Sequence, residues 1–143
     1  VPGLGDEMAL ALGNLGTQRA MVVHGTEGLD EISISGPTRV WELMDGKVST
    51  HTITPEQVGL PSSPLDTING GSLEHHKEMF LGVLQGVPGP AQDVVALNAA
   101  AALVLGGKAR DLKDGIALAR RAIASGAARK KLEDLATLSQ KLS

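Results

Sequence analysis

The chain has 143 residues, enough for one domain with a real core; 42% are hydrophobic, yet Trp41 and Phe80 are its two aromatic residues, so an aliphatic, Ala-rich core of helices packed on a sheet is expected. A formal net charge of −3 argues against broad nucleic-acid binding, which needs a basic surface, and the absence of cysteine excludes disulfides, zinc–thiolate sites and thiol catalysis. Neither a signal peptide nor an apolar stretch long enough to span a bilayer is recognisable, so a cytoplasmic protein without membrane partners is expected.

In chain order, Asp6 to Leu15 reads as a helix, with Asp6 able to cap it, Met8, Leu12 and Leu15 at helical spacing, and Gly16 as the residue just past its end. Arg19 to Val23 follows as a strand. Its run Met21 to Val23 looks buried on both faces, as in parallel sheets. A helix feeding such a strand is half of a βαβ crossover, so a parallel strand is expected before Val1, and the domain is expected to be incomplete.

The segment His24-Gly25-Thr26-Glu27-Gly28-Leu29-Asp30-Glu31 then lies at the carboxyl end of a strand, the edge where ligands bind in open α/β sheets. Gly25 and Gly28 allow a tight turn and close approach of backbone to a ligand. The adjacent carboxylates of Asp30 and Glu31 suit a hard cation with oxygen ligands, typically Mg²⁺; the plainer reading is a pair of solvated loop acids. His24 is expected to point into the same site, where it could hydrogen-bond a ligand or move a proton, or simply bond a loop carbonyl.

Ile32 to Ser35 alternates as a short strand, broken by Gly36-Pro37. Ser35-Gly36-Pro37-Thr38 could donate hydroxyls to an anion, though a strand break explains it equally well. Thr38 to Met44 and Lys47 to Ile53 flank Asp45-Gly46, a two-residue loop that favours a type I′ hairpin. Thr54-Pro55-Glu56-Gln57 opens a helical turn with a capping box. Residues 59–71, with two prolines and an adjacent glycine pair, read as a long surface loop.

Ser72 caps a helix running to about Gln85, with His76, Met79, Phe80, Val83 and Leu84 on one face; a partly buried, structural His76 is expected. Gly89-Pro90 starts the next helix. Val94 to Leu105 is nearly all apolar, hence buried, and Asn98 inside it needs a hydrogen-bond partner, which makes it a structural clip between elements. Asp111 to Ser125 reads as an amphipathic helix with Leu112, Ile116, Ala119 and Ile123 inward, ended at Gly126. Ala127 to Leu142 is the last helix, with Leu132, Leu135, Leu138 and Leu142 as its stripe and a solvated basic face at Arg129, Lys130 and Lys131. His51 alternates outward on the hairpin. No P-loop, G-x-G-x-x-G, G-x-S-x-G or defensible triad is present.

The segment Ala20-Met-Val-Val-His-Gly-Thr-Glu-Gly-Leu-Asp-Glu-Ile-Ser-Ile-Ser-Gly-Pro-Thr38 closely resembles the carboxyl-terminal half of the anthranilate phosphoribosyltransferases. So do Thr52 to Leu60 and Gly89 to Leu103, and the resemblance runs in order over essentially all of residues 1–143, read as a single domain. It implies an α/β fold with a mainly parallel sheet flanked by helices and one antiparallel hairpin, an incomplete phosphoribosyltransferase/nucleoside phosphorylase catalytic domain. It implies a Mg²⁺-dependent transfer of phosphoribosyl from phosphoribosyl pyrophosphate to anthranilate, on the route to tryptophan, by a homodimeric full-length enzyme. It implies that Asp30 and Glu31 hold the magnesium bound with the donor's pyrophosphate. The family's G-T-G-G-D, K-H-G-N and H-H-P-A-M segments are not found here; His75-His76 is followed by Lys77-Glu78. The isolated chain is therefore expected to be inactive. A pyrimidine nucleoside phosphorylase-like fragment and a non-catalytic α/β scaffold are the alternatives.

Overall fold

The computed structural model describes residues 3–142. Helix α1 (Leu4–Asn14) leads into strand β1 (Arg19–Gly25). After the acidic loop come β2 (Thr38–Met44) and β3 (Lys47–Ile53), then two 3₁₀ turns (Glu56–Val58 and Leu65–Thr67), α2 (Leu73–Leu84), α3 (Pro90–Leu105), α4 (Leu112–Ala124) and α5 (Ala127–Lys141).

The chain is α/β, but among the described residues its sheet is antiparallel throughout, in the order β1-β2-β3. The mainly parallel sheet expected is thus not what these residues form: β1 pairs antiparallel with β2 from Arg19↔Met44 to Gly25↔Thr38, and the parallel partner expected before Val1 lies outside the described residues. The apolar run misled because the sheet is covered on both faces, and a two-sided strand need not be parallel. One face carries Val22, Trp41 and Leu43 under α1. The other carries Met21, Val23, Val40 and Ile53, which pack with Ile32, Ile34 and Leu97 in the main core.

Helix α1 lies on the sheet through Gly5, Ala9 and Gly13, not through the expected Met8 and Leu15, which are exposed. The cause is Trp41. Its ring fills the space where a Cβ on Gly5 would stand, so the helix presents its smallest residues to the sheet. Asp6, expected as a cap, instead accepts a hydrogen bond from Trp41 Nε1 at 3.0 Å.

The hairpin forms with the expected bounds. Asp45 and Gly46 both have positive φ, 50° and 75°, as a type I′ turn requires. Gln57 accepts from Thr54 N at 3.0 Å, half of the expected capping box, while the Thr54 side chain makes no cap. Ser72 caps α2 by accepting from His75 N.

Helix α3 is central but not buried all round. Val94, Ala96, Leu97, Ala100 and Ala101 are buried, whereas Val95 is exposed and borders an open apolar hollow between α3 and α4. Asp93 bonds Arg120 at 2.6 Å and ties the start of α3 to α4. Helix α4 buries Ile116, Ala119 and Ile123 as expected, with Leu112 half-buried. Helix α5 forms as expected and its basic residues pair along the surface with Glu133 and Asp134, but its Leu135, Leu138 and Leu142 stripe is exposed.

Residues Ile32 to Ser35, expected as a strand, pair with no neighbour strand. Ile32 and Ile34 are buried as the alternation implied, yet so is Ser33. The backbone is satisfied by side chains and by a distant loop. Ile32 N donates to Asn98 Oδ1 at 2.9 Å, and Asn98 Nδ2 donates to Ile32 O at 2.9 Å. Ser33 N donates to Thr38 Oγ1, and Ile34 O accepts from Ser63 N. Such side-chain bonds offer an extended segment an alternative to a ladder. The same Asn98 Nδ2 also donates to Val94 O at 3.0 Å. Asn98 is thus the clip expected of it, and it clips the residue that follows Glu31.

Removing that amide leaves two buried backbone groups of Ile32 without partners, at roughly 1–3 kcal/mol each. Asn98→Ala should therefore lose about 2–4 kcal/mol in urea unfolding; a loss below about 0.5 kcal/mol, the scatter of ordinary surface changes, would contradict the clip. A second test addresses the α3–α4 seam. A Cβ on Gly115 would stand 2.7 Å from Ala100 Cβ and 2.8 Å from its Cα. Neither helix can yield locally, so Gly115→Ala should cost about 1–3 kcal/mol by overpacking despite its better helix propensity. A Gly115→Ala protein that melts at or above the unsubstituted one would show that the seam is looser than described.

Candidate functional site

The loop between β1 and β2 is built as a tight turn followed by a clamped segment. Gly28 N donates to Gly25 O at 2.9 Å, and Gly25 N donates to Leu29 O at 2.8 Å. Gly28 has φ +105°, a conformation that residues with a Cβ rarely adopt. Thr26 N donates to Pro37 O at 3.0 Å, so the two ends of the loop are stitched together beside the β1–β2 ladder.

Asp30 and Glu31 follow this turn. Both are exposed, and among the described residues neither carboxylate has an ion pair or a hydrogen bond. The flanking residues are the opposite: Leu29 is half-buried, and Ile32 is buried and held by Asn98. Two free carboxylates thus stand on backbone that cannot easily move. With Leu29 they border a hollow of about 450 Å³ whose other walls are Ile68, the apolar face of α2 and the first turns of α3. His76 lies in that wall. It is exposed rather than partly buried, and its ring occupies the space a Cβ on Gly70 would need.

His24 does not join the acids there. It is exposed, it stands opposite Arg39 in the β1–β2 register, and it shares the α1 side of the sheet with Val22 and Trp41. It lines a separate hollow of about 340 Å³ with Thr26, Arg39 and α1. The expectation of one site containing His24, Asp30 and Glu31 is corrected: strand alternation sends His24 to the face away from α3. Arg39 in that hollow stacks on Trp41, its guanidinium carbon 5.1 Å from the ring centroid.

One residue of the loop escaped the sequence reading. Glu27 Oε1 accepts hydrogen bonds from both Ser33 Oγ and Ser35 Oγ. Partial burial raises the Glu27 carboxyl, but the two serine hydroxyls, its own backbone amide and nearby His24 outweigh that and hold it below its ordinary value. The hydroxyls of Ser35 and Thr38, which could have served an anion, are thus used inside the loop. The one sequence signal was Ser33-x-Ser35, two hydroxyls on the same side of an extended stretch, facing a glutamate across a glycine turn.

No group of three or more His, Asp or Glu side chains converges to hold an ion among the described residues. The donor set at Asp30 and Glu31 suits Mg²⁺ only in its usual mode, one or two carboxylates with water and substrate phosphates supplying the rest. No helix among the described residues is long and apolar enough to cross a membrane.

The chain is similar to known proteins over most of its length. Residues 2–129 match the model of the "Glycosyl transferase family, a/b domain". An anthranilate phosphoribosyltransferase of Rhodopseudomonas palustris (strain HaA2) is 49% identical over 132 residues, covering 92% of this chain and 39% of the relative. The crystal structure of anthranilate phosphoribosyltransferase from Thermus thermophilus superposes with a TM-score of 0.83 at 43% identity, covering 94% of this chain and 39% of that one. The Saccharomyces cerevisiae enzyme, in complex with PRPP and Mg, superposes with a TM-score of 0.81 at 28% identity, covering 93% of this chain and 39% of that one. The chain therefore spans about two fifths of the length of the curated relatives it matches. On the match over residues 2–129, the chain belongs to the glycosyl transferase family, in its a/b domain.

Proposed function

We propose that this chain is the carboxyl-terminal part of an anthranilate phosphoribosyltransferase, and that Asp30 and Glu31 are its magnesium ligands in a complete enzyme that transfers phosphoribosyl from phosphoribosyl pyrophosphate to anthranilate. The observation that carries this reading is the pair of unpartnered carboxylates on a loop clamped immediately after them by Asn98. The similarity to anthranilate phosphoribosyltransferases, including one described with PRPP and Mg, supports it.

In this reading the chain's own residues do three things. The glycine turn 25–28 brings the acids close behind the end of β1. The Asn98 clip fixes the backbone behind them, so their charge is already placed when donor arrives rather than being organised at a cost in binding. Their freedom from protein cations keeps both carboxylates available. A magnesium ion bound there would supply electrostatic stabilisation for departing pyrophosphate. Two carboxylates alone bind this ion weakly, because it keeps its waters and relies on substrate phosphates. The 143-residue chain, without a recognisable cradle for those phosphates, should not turn over by itself.

The experiment is the paired substitution Asp30→Asn with Glu31→Gln in the complete enzyme. Both changes are isosteric and exposed, so the melting temperature should not move. Anthranilate consumption, followed by its fluorescence against Mg²⁺ concentration, should fall roughly 10²-fold or more at limiting Mg²⁺. Unchanged turnover in this variant would remove the metal role of the two acids, and turnover by the isolated chain would show that it carries a donor site of its own.

A further inference from the structure

Glu27 is three residues before Asp30, and Ser33 is two residues after Glu31. The hydrogen bonds from Ser33 Oγ and Ser35 Oγ to Glu27 Oε1 therefore close a ring of chain with the acid pair at its apex. Both ends of the loop approach the Glu27 carboxylate. A Cβ on Gly25 would stand 3.1 Å from Glu27 Oε2, and one on Gly36 3.6 Å from the same atom, so the carboxylate is seated between the start and the end of the loop. Ser33 is 1% exposed, and its hydroxyl also accepts from Ser35 N at 2.9 Å. Ser33 N is bonded to Thr38 Oγ1, the side chain of a fully buried residue at the head of β2.

Asn98 holds the far side of the acids to α3, while the near side is held by the glycine turn, the Thr26–Pro37 bond and the Glu27 bonds, of which the last alone join the loop through a side chain. Loss of the carboxylate removes the side-chain bonds that join residue 27 to Ser33 and Ser35 across the acid pair and leaves the loop to its backbone bonds.

We propose that Glu27 is a positioning residue: by gathering the hydroxyls of Ser33 and Ser35 it locks the β1–β2 loop and fixes where Asp30 and Glu31 present their carboxylates. The inference rests on the metal role proposed above for those acids. Glu27 touches neither metal nor substrate. It acts through the loop, and what it needs for that is an acceptor oxygen for two hydroxyls rather than a negative charge as such.

The test uses the complete protein that carries this chain, with Mn²⁺ as the probe ion in the presence of phosphoribosyl pyrophosphate and free Mn²⁺ counted by electron paramagnetic resonance. Amide hydrogen exchange at Gly25 and Gly28, whose N–H groups close the turn, is followed in the same samples. Supporting groups behind metal ligands typically govern affinity by roughly 10–100-fold. Glu27→Ala should weaken Mn²⁺ binding about tenfold and speed exchange at Gly25 and Gly28. The pair Ser33→Ala with Ser35→Ala should do the same, and all three substitutions together should be no worse than either set, since both break one device. Glu27→Gln keeps an acceptor oxygen and should recover most of the affinity, which a residue valued only for its charge would not allow.

Wild-type Mn²⁺ affinity in Glu27→Ala would overturn the proposal. So would a Gln variant as weak as the Ala variant, or additive losses in the triple variant. Should Glu27→Ala fail to fold, the serine pair, which deletes two hydroxyls and no charge, carries the comparison. Failure of the unsubstituted protein to bind Mn²⁺ with phosphoribosyl pyrophosphate would instead overturn the functional reading. Exchange at Gly25 and Gly28 then decides the lock by itself, and unchanged exchange in Glu27→Ala would overturn it.

Discussion

The side-chain amide of Asn98 ties the loop of this protein to its central helix. Asn98 projects from the central helix α3 and bonds both the N–H and the C=O of Ile32, imitating a strand partner for one residue. A peptide group buried without partners costs as much as several ordinary side-chain contacts contribute, so the clip decides where the segment after Glu31 can lie. With Ile32 seated, Ile34 drops into the same core beside Val40 and Leu97, and Ser63 reaches Ile34 O from the long loop. The helical layer, the sheet and the acidic loop meet at this point. Unlike the buried residues around it, the acid pair just before it is left in solvent.

Much of the architecture could be read from residue order because the local signals agreed with the tertiary result. Asp45-Gly46 supplies two positive φ values, and no competing arrangement offers that turn as cheaply. Ser72 and Asp111 cap the helices they precede. What failed was inference from burial to strand direction. Met21 to Val23 does lie between two helical layers, but burial on both faces does not choose a pairing partner, and here β1 pairs antiparallel with β2 across the loop 26–37. Helix α1 defeated the periodicity argument for another reason. Its large residues face outward because one indole ring demands a glycine opposite it.

The site was legible in part. Adjacent Asp30 and Glu31 between glycines and a buried isoleucine stand out in sequence, and Asn98 in an apolar helix announces a need for partners. Their connection does not stand out, since 66 residues separate Ile32 from Asn98. His24 was misplaced because its side of the sheet depends on strand pairing, which the residues do not state. Glu27 was overlooked for the same reason: its importance comes from hydroxyls that reach it only after the chain has turned back. Positions whose role is set by neighbours in space rather than in sequence are the ones that reading by spacing loses.

The account turns on the claim that a loop fixed by Asn98 presents Asp30 and Glu31 to a metal-bound diphosphate. A crystal structure of the complete protein with Mg²⁺ and phosphoribosyl pyrophosphate tests this directly. The account predicts magnesium coordinated by Asp30 or Glu31, directly at about 2.0–2.1 Å or through its retained waters, with diphosphate oxygens completing the shell and the Asn98–Ile32 bonds intact. Magnesium held with the diphosphate by other residues, with both carboxylates turned to solvent, would contradict it.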